Sequence, residues 1–188
     1  MITVRVAREE DAAPLLRIYS HYVSDTAITF EREPPSLDEF KQRIRKTLEN
    51  YPYLVAEDDG NIVGYIYASR FRERAAYDWA AKTSIYIDGR YHRKGIGRML
   101  YEKMEDILRR QNVTNVYATI VEPVGDSDEY LTGESTLFHE AMGYRRVAEY
   151  HGCANKFGRW YNLVETEKTI AERPEVPDDF IPFSEMNV

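Results

Sequence analysis

The residues best equipped for chemistry form one run: Ser84-Ile85-Tyr86-Ile87-Asp88-Gly89-Arg90-Tyr91-His92-Arg93-Lys94-Gly95-Ile96-Gly97-Arg98. Bulky and β-branched Ile85, Tyr86 and Ile87 read as the end of a strand. Two glycines follow in a basic stretch, and apolar residues at helical spacing begin at Ile96. A strand that feeds a glycine-containing turn and then a helix is anion-binding architecture. The first-turn N–H groups lack intrahelical partners, and the dipole end there is positive. Gly95 and Gly97 let a ligand approach the main chain, and Arg93, Lys94 and Arg98 add attraction. The same charges also suit an ordinary solvated helix start. Two familiar phosphate motifs are excluded. The dinucleotide fingerprint needs glycine or alanine where Leu100 stands, and the P-loop tripeptide Gly-Lys-Ser/Thr does not occur.

The elements that must position this run follow from spacing. Ile2 to Val6 alternates as a strand, and Glu9 to Val23 carries Leu15, Leu16, Ile18, Tyr19 and Val23 at helical intervals. Ser36 with Glu39 is a capping box that opens a helix to Asn50, with Leu37, Phe40, Ile44 and Leu48 on its apolar face. Tyr53–Glu57 and Ile62–Ala68 read as a hairpin about Asp58-Asp59-Gly60-Asn61. A strand is expected over Ala80–Ile87. The following helix presents Ile96, Met99, Leu100, Met104, Ile107 and Leu108 and ends at Arg109-Arg110. Asn115–Val121 is the next strand, and Ser135–Met142 is a short helix stopped by Gly143. Tyr144–Tyr150 and Trp160–Val164 are a terminal strand pair. From Glu172 onward Pro174, Pro177 and Pro182 alternate with acidic residues, which predicts an irregular tail that packs either on the domain or on a partner. Phe180 and Phe183 are expected to be exposed on that tail, offering apolar material for a contact between copies.

At 188 residues the chain suits one domain, and no run of about 18 apolar residues offers a membrane span. No secretory signal opens it, so a cytoplasmic protein is expected. Cys153 is the single cysteine, which excludes an internal disulfide and a four-cysteine zinc site. A net charge of −7 argues against a broad nucleic-acid surface, so a polyanionic ligand must meet a local patch.

The stretch His92-Arg93-Lys94-Gly95-Ile96-Gly97 resembles the acetyl-CoA motif of the GNAT acetyltransferases, Gln/Arg-x-x-Gly-x-Gly/Ala, with His92 in place of the preferred Gln or Arg. The resemblance sharpens to the phosphinothricin N-acetyltransferase group over residues 2 to 166. It is carried by Tyr51-Pro52, Leu54-Val55-Ala56-Glu57, Gly64-Tyr65, Ala76-Tyr77-Asp78-Trp79 and Ser84-Ile85-Tyr86-Ile87. Phe138-His139-Glu140-Ala141-Met142-Gly143-Tyr144 and Lys156-Phe157-Gly158-Arg159-Trp160 complete it. The resemblance implies an α/β GNAT fold: a mixed, mostly antiparallel sheet of six to seven strands, splayed at strand 4 and flanked by about four helices. It would occupy residues 1–167, with the tail over 168–188.

For the site, the resemblance implies acetyl-CoA and no metal. The pantetheine arm would lie on the backbone of Ile85, Tyr86 and Ile87. The pyrophosphate would rest on Arg93, Lys94, Gly95, Ile96, Gly97 and Arg98, and Thr132 and Ser135 would add contacts. The Ile87 N–H would stabilise an oxyanion, and His139 would serve as acid or base. Arg72, Arg74 and Tyr77 would meet a substrate carboxylate, with Phe30 as one wall. Two departures stand out: Lys82 occupies the position of the group's glutamate, and the loop Glu122–Glu134 is long and acidic. The expected activity is acetylation of a small amine, an amino acid or an analogue such as phosphinothricin or methionine sulfoximine, by a homodimer. The alternatives are a cationic amine or protein N-terminus as acceptor, or a coenzyme-A-binding protein without catalysis.

Overall fold

The computed structural model describes residues 1–187; Val188, the last residue of the expected tail, lies outside the described residues. Seven strands and four α-helices follow one another among the described residues. They run β1 (Ile2–Val6), α1 (Ala12–Asp25), α2 (Leu37–Asn50), β2 (Tyr53–Asp58), β3 (Asn61–Arg70) and β4 (Ala80–Ile87). α3 (Ile96–Arg110), β5 (Asn115–Pro123), α4 (Glu134–Ala141), β6 (Arg145–Lys156) and β7 (Arg159–Thr169) complete the order. The strands form one sheet in the order β1-β2-β3-β4-β5-β7-β6. Among the described residues only the β4–β5 pair is parallel.

Local signals explain the boundaries. Asp59 and Gly60 both have positive φ, the backbone that a tight hairpin of matching twist requires, and they join β2 to β3. The Ser36 hydroxyl accepts from the Glu39 N–H at 3.2 Å and starts α2. Gly143, at φ +88°, ends the turn after α4. On α3 the expected apolar face is shifted. Met99 is exposed, and the ring of Tyr101 is buried instead. The stripe through Ile96, Leu100, Met104, Ile107 and Leu108 is centred nearer position 101 than 99, because each residue advances about 100° around the helix.

The feature that shapes the molecule is a fork. β4 and β5 pair only through Ala80–Lys82 against Asn115–Tyr117. Beyond that point β5 stays paired with β7 to Pro123, and β4 stays paired with β3 to Ile87, so the two strands part. The Thr83 hydroxyl sits in the fork and donates to the Tyr117 carbonyl at 3.3 Å, partnering a group near the point of separation. α1 and α2 cover one face of the sheet with an aromatic-rich core, and α3 covers the other.

The tail belongs to the second core, which corrects the expectation that its phenylalanines are exposed. Phe183 is only 9% exposed, and the partly buried Phe180 packs 5.2 Å from Tyr51 between ring centroids. A segment outside any ladder still has carbonyls to satisfy. Side chains around the end of α3 and before β4 supply the donors: Gln111 to Ile181 at 2.8 Å, Asn112 to Asp179 at 2.7 Å and Trp79 to Asp178 at 2.8 Å. β7 itself runs two residues past the expected boundary at 167.

Removing the Phe183 ring leaves a cavity in packed surroundings. Phe183→Ala is expected to lower unfolding stability by about 3 kcal/mol, read as a fall in the urea midpoint at unchanged slope.

Candidate active site

The fork opens into a cleft of about 460 Å³ at the N-terminus of α3, walled by β4 on one side and by α4 on the other. Ile85, Ile87, His92, Arg93, Gly95, Gly97 and Arg98 line it, joined by Thr132, Ser135, Phe138 and His139. The first intrahelical bond of α3 runs from Met99 N to Gly95 O at 3.1 Å, so the N–H groups of Ile96, Gly97 and Arg98 have no helical partner. Arg93 and Gly95 both have positive φ, which curves the main chain into a concave array of donors. A side chain at position 97 would collide with the Phe138 ring, because an added Cβ would lie 2.8 Å from it. Glycine is therefore what allows α4 to close so near the helix end.

The backbone of β4 supplies the second set of groups. Asp88 N donates to Val63 O at 2.9 Å. Strand bonding alternates every second residue, so Tyr86 also spends its main chain on β3, while Ile85 and Ile87 turn theirs toward the fork. The structure therefore does not bring Tyr86 into the cleft. Its ring packs with Tyr19, Tyr22 and Tyr65 on the opposite face. The Tyr22 hydroxyl occupies the Ile87 peptide groups: it donates to Ile87 O at 2.5 Å and accepts from Ile87 N at 3.3 Å. It also lies 3.2 Å from His92 Nε2. Burial raises the Tyr22 phenol above its ordinary range and keeps it protonated.

The anion-binding end holds a carboxylate of the protein itself. Glu134, the first residue of α4, accepts from Arg93 at 2.6 Å and stands 3.4 Å from His92 Nδ1. Arg93 holds the Glu134 carboxyl below its usual range.

His139 is 5% exposed and sits in a chain of polar groups. Its Nδ1 donates to the Ser135 carbonyl at 2.7 Å, and its Nε2 lies 3.0 Å from the Tyr101 hydroxyl. That hydroxyl is 3.1 Å from Thr83 Oγ1 at the fork. Burial lowers the His139 pKa and favours neutral imidazole, with Nε2 accepting from Tyr101. Protonating Nε2 makes it a donor to the Tyr101 hydroxyl, which can then donate to Thr83 Oγ1, while Thr83 keeps donating to the Tyr117 carbonyl.

A family model for the GNAT acetyltransferase domain matches residues 4–164. The chain belongs to the GNAT acetyltransferases. It is 34% identical to a phosphinothricin N-acetyltransferase of Alcaligenes faecalis, over 89% of this chain and 82% of that protein. It is 28% identical to an L-methionine sulfoximine/L-methionine sulfone acetyltransferase of Salmonella typhimurium, over 91% and 96%. A crystal structure of a phosphinothricin acetyltransferase from Sinorhizobium meliloti in complex with AcCoA superposes with a TM-score of 0.83, at 28% identity over 97% and 98% of the two chains.

In this GNAT protein several expected site residues lie away from the cleft. Arg72, Arg74 and Tyr77 occupy the β3–β4 connection, at the end of β4 opposite Ile87 and roughly 23 Å from it along the strand. There Arg72 lies over the Phe71 ring, and Tyr77 meets the same ring edge-on. Lys94 turns its ammonium over Tyr91 at 4.3 Å rather than into the cleft. Phe30 is half-buried against Tyr161, and its neighbour Ile28 lines the cleft. Lys82 has no ion-pair partner among the described residues. Sequence reasoning missed Tyr22, Thr83, Tyr101 and Glu134. Tyr22 was within reach, since it lies three residues past Tyr19 on the buried face of α1.

Two outcomes follow from these contacts. Glu134→Gln releases Arg93 and is expected to tighten coenzyme A binding by about two- to fivefold in calorimetry, a gain that shrinks with added salt. The depressed His139 pKa means that the folded protein resists a proton that the unfolded chain accepts near pH 6.5. The associated stability is complete above that pH and is lost as pH falls toward the folded value. Between about pH 7.5 and about pH 5, the wild type should therefore lose more unfolding stability than His139→Gln.

Proposed function

We propose that this protein transfers the acetyl group of acetyl-CoA to the primary amine of an amino acid or a close analogue, of the phosphinothricin or methionine sulfoximine kind. One observation carries the reading: the β4 backbone at Ile85 and Ile87, which no strand pairs on the fork side, is continuous, within a single cleft, with the free N–H groups of α3. An extended arm with amide groups fits the first, and a pyrophosphate beside Arg93 and Arg98 fits the second. The named relatives act on acceptors of the proposed kind.

In the proposed reaction the neutral amine attacks the thioester carbonyl and forms the C–N bond. The Ile87 N–H, released by Tyr22, holds the developing oxyanion. The C–S bond then breaks, the nitrogen loses its proton, and the sulfur leaves as a thiol. His139 is assigned the proton handling, through Tyr101 and Thr83. Thr132 and Ser135 hold the coenzyme from the α4 side. The acidic loop offers little free charge to a cationic acceptor, because Asp128 and Glu129 are both bound by Arg159.

Arg72, Arg74 and Tyr77 are assigned to the carboxylate of the acceptor, acting across a homodimer contact on the cleft of the second copy. Light scattering is expected to return twice the 22.0 kDa chain mass. Arg72→Gln/Arg74→Gln should raise the acceptor KM by about tenfold or more at unchanged acetyl-CoA affinity. A monomer, or an unchanged KM, would remove this part of the assignment.

The direct test follows thiol release from acetyl-CoA across phosphinothricin, methionine sulfoximine, common amino acids, polyamines and an aminoglycoside. Turnover is expected with the first two. Turnover confined to the polyamines or the aminoglycoside would replace the acceptor class, and coenzyme binding without any turnover would favour a non-catalytic protein.

A further inference from the structure

The segment Lys156-Phe157-Gly158-Arg159-Trp160 makes the turn between β6 and β7, and none of its residues lines the coenzyme cleft. Lys156 is nevertheless 4% exposed, an unusual burial for an ammonium. Its Nζ donates to three carbonyls: Val23 at 2.7 Å, Thr26 at 2.8 Å and Thr29 at 2.7 Å. An ammonium has three donors and no acceptor, so its whole capacity is spent on the C-terminal end of α1 and the connection that follows. That end carries the negative pole of the helix and its orphan carbonyls. The Thr29 carbonyl belongs to the same peptide unit as the Phe30 N–H, so the ammonium fixes the plane from which Phe30 departs.

The turn is tied on its other side too. Phe157 stacks on Tyr130 at 4.3 Å, and Arg159 grips Asp128 and Glu129 at 3.1 and 2.5 Å. Tyr130 O in turn accepts from Ala27 N at 3.2 Å. Phe157 is held at φ +53°, a left-handed conformation that a bulky residue adopts only when its surroundings enforce it. The turn thereby brings Lys156 and Arg159 directly opposite one another.

We propose that Lys156 is a positioning residue for the acceptor: by gathering the Val23, Thr26 and Thr29 carbonyls it sets the α1–α2 connection, with Ile28 and Phe30, as one wall of the acceptor pocket. The inference rests on the acetyl-transfer reading and extends it to a residue that touches no reactant.

Lys156→Met removes the three donors and keeps the apolar stem. With acetyl-CoA and the best amine of the panel, its acceptor KM is expected to rise by about tenfold, with acetyl-CoA affinity by calorimetry within about twofold of wild type. Amide hydrogen exchange should accelerate over residues 24–31 and stay unchanged in α3. Lys156→Arg keeps the charge but displaces the donors, and should give a smaller rise in KM; where the Met variant does not fold, the Arg variant carries the same comparison. Unchanged exchange over 24–31, an unchanged acceptor KM, or a joint decline in kcat, KM and coenzyme affinity would each overturn the inference. A wild type inert toward every amine would sink the transferase reading and this inference with it. An active wild type beside an unaffected variant overturns the inference alone.

Discussion

Half of a β-strand left without a neighbour on one side is the constraint on which this protein is built. β4 loses β5 after Lys82, and the main-chain groups of Ile85 and Ile87 then face the fork with no strand to pair them. Buried peptide groups must be partnered. The fold meets that demand with side chains that a ligand can replace: Tyr22 takes both groups of Ile87, and Thr83 takes the Tyr117 carbonyl. The N-terminus of α3 presents the same condition in another form, as donors with no helical acceptor. The candidate site is thus mostly unpaired backbone, arranged by a fork and a glycine turn. Its side chains tune access to that backbone.

Electrostatics works locally in the same way. A chain of net charge −7 presents an anion-binding cleft because dipole ends and a few arginines outweigh the distant carboxylates at short range. Glu134 on Arg93 shows the cleft drawing an anion from its own protein. In the proposed reading these groups set the strength of coenzyme binding and the fold sets its place.

What the sequence made legible was what local chemistry determines. The strand–turn–helix at 84–98, the Ser36 cap, the Asp59-Gly60 turn and the stop at Gly143 rest on a few adjacent residues, and each stands where expected. The resemblance to GNAT enzymes supplied the splay at β4, which no local pattern encodes, since it depends on how far two strands remote in sequence stay paired. Contacts set by distant segments were not legible. Proline and acidic composition suggested an irregular tail and left open whether it packs on the domain or on a partner; Gln111, Asn112 and Trp79 bind it to the domain. Helical spacing placed Met99 inside, but packing chose Tyr101, whose hydroxyl then meets His139. Arg72, Arg74 and Tyr77 matched a motif, and the strand that follows carries them away from the cleft.

The central claim is that the open β4 backbone, plugged by Tyr22, is where the coenzyme arm binds. A crystal structure of the protein with coenzyme A tests it most directly. The account predicts the pantetheine amides bonded to Ile85 and Ile87, the pyrophosphate on the N–H groups of residues 96–98, and the Tyr22 hydroxyl displaced from Ile87. A coenzyme bound elsewhere, with Tyr22 still seated on the Ile87 peptide groups, would contradict it.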